Sequence, residues 1–150
     1  MSYLRRVDGI RAEKREFSAG PQQGDRVDTH VWVFTDGLVV TLAPRFTEPL
    51  FPNAMKALEG VDLATLEPDT ITDVCPNAVH LDRERVCRVD YAGPRRVPLI
   101  NRRFGGFHAY FFFADESWFQ LIVPPARGDE VWTLLQETYP DKAHDFRDDL

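Results

Sequence analysis

The chain has 150 residues, the usual size of one domain, and at this length a hydrophobic core can form without a metal or a disulfide framework. Its net charge of −6 argues against general binding to nucleic acid or to an anionic membrane, since both need a basic surface. It has two cysteines, no apolar leader and no apolar run long enough to span a bilayer. We therefore expect a cytoplasmic protein with free thiols and no transmembrane segment.

The first 28 residues carry the weakest structural signals. The charged run at 11–16 predicts a short helix, and residues 16–19 predict a short first strand. Residues 20–24 have the composition of a flexible connection. We therefore expect an irregular N-terminal segment.

The clearest element is a β-hairpin. Residues 30–35 and 38–42 are rich in β-branched and aromatic side chains, and only Asp36 and Gly37 separate them. Because Asp-Gly supplies the two positive-φ positions of a type I′ turn, the sequence predicts a tight hairpin at this point.

Residues 44–76 are different in character, because prolines interrupt any strand and the composition between them is helical. A helix is predicted over 53–59 with Asn53 as its cap. A second, shorter helix is predicted over 63–67, capped by Asp62 and ending before Pro68. The region therefore predicts a helical insertion within a series of strands.

Strand signals return after this insertion. Further strands are predicted over 78–82, 86–91, 95–100, 107–113 and 118–123, with turns at Gly93-Pro94, Gly105-Gly106 and Asp115-Glu116. In the second of these strands, period-two alternation predicts a buried face formed by Cys87, Val89 and Tyr91. Pro98 predicts that its strand lies at an edge or carries a bulge.

A C-terminal amphipathic helix is predicted from Gly128, with Asp129 as its cap and Pro140 as its end. Its apolar face is formed by Val131, Leu134, Leu135 and Thr138. Residues 141–150 are predicted to be a frayed polar tail.

This order of elements, and an aromatic content of 12%, predict a mainly β (α+β) fold. The hairpin at 31–40, the strand at 118–123 and the helix at 131–139 resemble bacterial members of the pleckstrin-homology-like superfamily, which includes GRAM-type modules. The resemblance implies an antiparallel β-barrel or strongly curved sheet, closed by a C-terminal capping helix. It also implies a binding or scaffolding role.

The same reasoning gives the domain organisation. We expect one domain over 1–150, with an irregular segment at 1–28 and a barrel at 29–140. The barrel would carry its helical insertion at about 44–76, and the polar tail would follow at 141–150.

The most informative candidate site is basic. Two arginine pairs bracket the predicted strand at 95–100, and further arginines lie on the preceding strand. Because guanidinium groups bind phosphate and carboxylate in a bidentate manner, we interpret this region as an anion-binding or acidic-partner surface. Protection of a sheet edge by charge is the alternative. The candidate residues are Arg95, Arg96, Arg102, Arg103, Arg85 and Arg88.

Other chemistry has little support, and we predict no catalytic residues, no cofactor and no metal. Cys75 and Cys87 do not form a CxxC pair, and local spacing brings no histidines together. The turn at Gly105-Gly106 lacks the Lys and Ser/Thr of a phosphate-binding loop.

The sequence therefore favours a non-enzymatic interaction module that binds a protein partner, a second copy of itself or a small anionic group. One alternative is a small-molecule-binding barrel, or an enzyme built on one, with an aromatic-lined pocket. Another is an inhibitor- or immunity-type protein whose acidic tail meets a basic target.

Overall fold

A computed structural model describes residues 2–14, 25–42, 58, 60–75, 78–93, 95–97, 102–104 and 106–147. Over these residues the fold is mainly β, as predicted. The chain divides into two compact units, Met1–Asp82 and Arg83–Leu150, which we call the N-terminal and C-terminal units.

The N-terminal unit contains strands β1 (Tyr3–Lys14), β2 (Asp25–Phe34), β3 (Gly37–Leu42) and β4 (Val79–Asp82), a 3-10 turn (Leu63–Thr65) and helix α1 (Pro68–Val74). The C-terminal unit contains β5 (Val86–Ala92), β6 (Arg95–Val97), β7 (Arg102–Phe104), β8 (Phe107–Phe113), β9 (Trp118–Val123), a 3-10 turn (Pro125–Arg127), helix α2 (Gly128–Thr138) and β10 (Ala143–Phe146). No helix in the described part of the chain is long and apolar enough to cross a bilayer.

The four strands of the N-terminal unit pair in chain order, and all three pairings are antiparallel. The predicted hairpin is confirmed as β2–β3, but its turn lies one residue earlier, at Thr35-Asp36, and Phe34 pairs with Gly37. The prediction of a type I′ turn is wrong, because neither Asp36 nor Gly37 has a positive φ. Gly37 instead belongs to β3 and pairs with Asp82 of β4.

The first strand corrects the prediction of an irregular N-terminal segment. Residues 11–14, predicted as helix, belong to β1, which pairs with β2 from Tyr3 to Lys14. Gly9 has a φ of 83° beside a register shift, a backbone angle that glycine adopts readily. Ladder pairing along the whole strand therefore overrides the helical composition. The strand predicted over 16–19 and the connection predicted over 20–24 lie outside the described residues.

The insertion is helical, as predicted, over the residues that the structure describes. Asp62 caps the 3-10 turn, because its Oδ1 accepts a hydrogen bond from the Ala64 amide. Helix α1 then begins at Pro68, where an end was predicted, because proline suits the first helical position, whose N–H has no intrahelical partner. The helix predicted over 53–59 lies outside the described residues, apart from a turn at Leu58.

The insertion covers one face of the N-terminal sheet. Its apolar side chains form one buried cluster with side chains of β2 and β3. The cluster contains Trp32, Phe34, Val39, Leu58, Leu66 and Ile71. Because Trp32 also donates a hydrogen bond from Nε1 to Thr41 Oγ1 at 3.0 Å, its one polar group is satisfied inside the core.

In the C-terminal unit the strand order is β10-β5-β8-β9, in a mixed sheet that is not closed. The hairpin from β8 to β9 is confirmed, with Glu116 in the turn at a φ of 69°. Strand β10 pairs in parallel with β5, Ala143 opposite Val89 and Phe146 opposite Ala92. The prediction of a frayed tail is therefore wrong for the residues of β10.

In strand β5, one residue that was predicted to be buried is exposed. Val86, Val89 and Tyr91 are buried, whereas Cys87 is exposed. The register against β8 shifts between Val86 and Arg88, and such a bulge moves the intervening side chain off the expected face. The alternation of apolar and polar residues in the sequence does not reveal such a bulge.

Helix α2 confirms the predicted apolar face, since Val131, Leu134, Leu135 and Thr138 are all buried. Its predicted cap is wrong. The helix continues from a 3-10 turn, so Arg127 occupies the N-cap position and makes no side-chain cap hydrogen bond. Tyr139, after the helix, makes an edge-to-face contact with Phe111 of β8 at 5.7 Å between ring centroids. The helix therefore covers the sheet face to which Phe111 belongs.

The remaining strands, β6 and β7, form a separate two-stranded sheet. The strand predicted over 95–100 is described only as far as Val97, and β7 was not predicted. The turn predicted at Gly105-Gly106 does not join a hairpin, because β7 and β8 on its two sides pair with other strands. At Gly93-Pro94, Pro94 lies outside the described residues.

Candidate anion-binding site

The candidate site is the antiparallel pair β6–β7, which we call the arginine ribbon (Arg95–Val97 and Arg102–Phe104). Four of its six strand residues are arginines. The sequence placed these residues at the two ends of one strand, whereas the structure places them on two paired strands. Arg96 lies directly opposite Arg103, and Arg95 and Arg102 face Phe104 and Val97 across the pair.

This register has an electrostatic consequence. Cβ atoms of directly opposite residues in an antiparallel pair lie about 4.5–5.5 Å apart, and like charges in that position are destabilising. Opposite arginines on paired strands therefore carry a cost that a bound anion can offset, and phosphate is such an anion because guanidinium groups bind it in a bidentate manner.

The other predicted arginines belong to a different part of the C-terminal unit. Arg88 pairs through Nε with Asp90 Oδ1 at 2.9 Å and lies 4.8 Å above the ring of Phe112. Arg85 lies 5.2 Å above the ring of Phe113. Both are therefore positioned on β5 or the turn before it, against β8, rather than on the arginine ribbon.

The sheet face that carries Arg88 is lined by aromatic side chains. Arg88, Phe112 and Trp118 are opposite one another on three adjacent strands, and Trp118 is 47% exposed. Along β8, Tyr110 stacks on Phe112 at 6.4 Å and on His108 at 6.2 Å. The even-numbered positions of β8 share this face by period two, a signal that the prediction did not use.

The titratable groups make local pairs. His30 Nδ1 lies 2.7 Å from Asp8 Oδ1, and Arg6 lies 3.0 Å from the other Asp8 oxygen. Burial alone would raise the pKa of Asp8, but the hydrogen bonds from His30 and Arg6 outweigh it and lower that pKa. Among the described residues no group of three His, Cys, Asp or Glu side chains is placed to hold a metal ion.

The two cysteines differ in environment. Both are free thiols, Cys75 buried and Cys87 exposed. Burial raises the pKa of Cys75, so less of it is thiolate, the nucleophilic form, at neutral pH.

Comparison with known proteins adds a likeness of fold. No protein family and no curated protein sequence matches this chain. Among solved structures it is similar to the hSac2 domain from human phosphoinositide phosphatase Sac2. The TM-score is 0.52 and the identity 9%, over 99% of this chain and 78% of that one. At this identity the similarity concerns the fold alone.

Proposed function

We propose that this chain is a non-enzymatic interaction module that binds a phosphate-bearing anion on the arginine ribbon. The observation that carries the proposal is the register of Arg96 opposite Arg103. A ribbon with four arginines and no acidic residue is a local basic site on a chain whose net charge is −6. Such a site selects a small anion without attracting polyanions to the whole surface.

We further propose that the fold is of the pleckstrin-homology-like type. The antiparallel series of strands supports this, as does a C-terminal helix packed through Val131, Leu134 and Leu135. Strand β10, which follows that helix and pairs in parallel, is an addition to the expected plan.

The alternatives have less support. Three of the rings that could line a pocket are packed against other side chains: Trp32 and Phe34 in the buried cluster, and Phe111 against Tyr139. The acidic tail, which an inhibitor-type protein would present to its target, is partly engaged within the chain, because Asp145 pairs with Arg147 at 2.8 Å.

The comparison suggests the first ligand to test. Because the similar domain comes from a phosphoinositide phosphatase, the first probe is inositol trisphosphate, followed by inorganic phosphate and by neutral vesicles with and without a phosphoinositide. Binding of all the phosphate probes would indicate recognition of the phosphate group, whereas binding of the phosphoinositide vesicles alone would indicate a lipid surface.

The decisive variant is Arg96→Gln with Arg103→Gln. The matched control is Arg5→Gln with Arg11→Gln, which removes the same charge from exposed positions of β1. By isothermal titration calorimetry at low salt, we expect the ribbon variant to bind inositol trisphosphate about tenfold or more weakly than the wild type, because it loses charged hydrogen bonds. The control should bind like the wild type. Equal affinity of all three proteins, or no binding by the wild type, would contradict the proposal.

A further inference from the structure

Charged and aromatic side chains converge just after β10, around the side chain of Arg147. Its guanidinium pairs with Asp129 Oδ1 and with Asp145 Oδ2, both at 2.8 Å. The same group lies 5.5 Å from the ring centre of Tyr91 and 5.6 Å from that of Trp132. Two carboxylates and two aromatic rings are the groups that recognise a guanidinium most effectively.

Most of this arrangement does not depend on β10. Tyr91 of β5 and Trp132 of α2 stack at 5.9 Å with an angle of 7° between the rings. The Tyr91 hydroxyl donates a hydrogen bond at 2.8 Å to the carbonyl of Gly128, the residue before Asp129. The ring pair is therefore held by β5 and α2, and α2 also carries the exposed carboxylate of Asp129. We call Tyr91, Asp129 and Trp132 the guanidinium cage.

The backbone at Gly93, just after β5, also leaves room for the segment that contains Arg147. A Cβ at Gly93 would overlap the carbonyl group of Arg147, so the absence of a side chain at Gly93 lets the backbone of Arg147 approach. The cage and the adjoining edge of β5 thus accept an extended segment that is followed by an arginine.

The segment that occupies the cage begins at Ala143, whose amide donates a hydrogen bond to the Tyr139 carbonyl at 3.0 Å, and most of its strand residues are exposed. Strand β10 has four residues and exposes His144, Asp145 and Phe146, and among the described strands it pairs with β5 alone, in a parallel ladder. Parallel pairs are slightly less stable per residue, and elements with few buried contacts open before the core does. Local opening of β10 would free both the β5 edge and the cage.

We propose that the guanidinium cage is a receptor for an arginine side chain, which Arg147 fills within the chain. An extended, arginine-bearing segment of a partner protein takes its place when β10 detaches. The partner segment adds to β5 in parallel, as β10 does, and its arginine lies between Asp129 and the Tyr91–Trp132 pair. The acidic net charge of the chain favours a cationic segment. This proposal goes beyond anion binding at the arginine ribbon and does not depend on it.

The first test is native-state hydrogen exchange on the wild-type chain. We expect the amides of β10 to exchange through local opening, at least about tenfold faster than those of the β5–β8 ladder. Exchange of β10 only at the rate of global unfolding would overturn the proposal, because the cage would then never become accessible in the folded protein.

The second test supplies the segment in trans. A fluorescent peptide with the sequence of residues 143–147, Ala-His-Asp-Phe-Arg, is titrated against the full chain carrying Arg147→Ala. We expect this variant to bind the peptide more tightly than the wild type does, because the internal competitor is weakened. A peptide with citrulline in place of arginine should bind about tenfold or more weakly, and so should the intended peptide when Asp129→Asn is added.

Equal binding of the arginine and citrulline peptides, or no binding to a folded Arg147→Ala chain, would overturn the proposal. Circular dichroism establishes whether that variant is folded. If it is not, Arg147→Lys, which keeps the charge but loses the planar fork, is titrated in its place with the same expectations.

Discussion

Gly37 of β3 lies so close to the carbonyl oxygen of Leu81 in β4 that a Cβ added to it would stand 2.6 Å from that oxygen. The lack of a side chain at Gly37 therefore allows β3 and β4 to lie close together, and it is not required by the turn before β3. Gly37→Ala should lower the free energy of unfolding by about 1–3 kcal/mol, the usual cost of overpacking. Urea denaturation followed by circular dichroism measures this loss.

The control for that substitution is Gly60→Asn. Gly60 has a φ of 85° and no atom within 4 Å of an added Cβ, and asparagine tolerates this backbone region. Gly60→Asn should lower the free energy of unfolding clearly less than Gly37→Ala does. Equal losses at the two positions would show that the close approach to β4 is not what Gly37 provides.

Helix α2 should contribute to stability through its buried face. Leu135 is fully buried, so Leu135→Ala should cost about 2–5 kcal/mol in the free energy of unfolding, from lost burial and the cavity left behind. The neighbouring Gln136 is exposed, and Gln136→Ala should change stability by about 0.5 kcal/mol or less. Similar values for both variants in urea denaturation would contradict the packing of this helix.

The pair of Asp145 and Arg147 predicts a dependence on pH. Hydrogen bonds from Arg147 lower the pKa of Asp145 below its ordinary value of 3.8. Their stabilisation is therefore complete above that value and is lost as the pH falls through the folded-state pKa. Asp145→Asn should be less stable than the wild type at pH 7, by about 1 kcal/mol or less for a partly exposed pair.

Urea denaturation over a pH series measures this effect. The stability curves of the wild type and Asp145→Asn should converge well below pH 3.8, because the wild-type carboxylate is then protonated. A constant difference between the curves down to the lowest pH would show that the charge of Asp145 contributes nothing.

The two thiols should react very differently with Ellman's reagent. Cys87 is exposed and should react quickly in the native protein, whereas Cys75 is buried and should react only when the chain opens. The native protein should therefore release one equivalent rapidly and the second after denaturant is added. Cys87→Ser should lose the rapid phase. Rapid reaction in that variant would contradict the burial of Cys75.

Elements with a strong local pattern could be predicted from the sequence alone. The β2–β3 hairpin, the β8–β9 hairpin and the buried face of α2 follow from alternation, turn residues and helical spacing within single segments. A mainly β class follows from the same signals. The arginines of the candidate site could also be recognised, because residue types are read directly from the sequence.

Pairing between segments could not be predicted in this way. Residues 11–14 have helical composition yet lie in β1, and 143–146 look like a polar tail yet form β10, because a strand is stabilised by its neighbour as well as by its own residues. The bulge that exposes Cys87 has the same origin.

The candidate sites show this division most clearly. The sequence by itself determined which residues are arginines and that the chain is built mainly from strands with a C-terminal helix. Only the tertiary structure decided that Arg96 faces Arg103 and that Arg147 lies between Asp129 and the stacked rings of Tyr91 and Trp132. The reason is physical: local propensity and periodicity act over a few residues, whereas register and ion pairing depend on which distant segments meet.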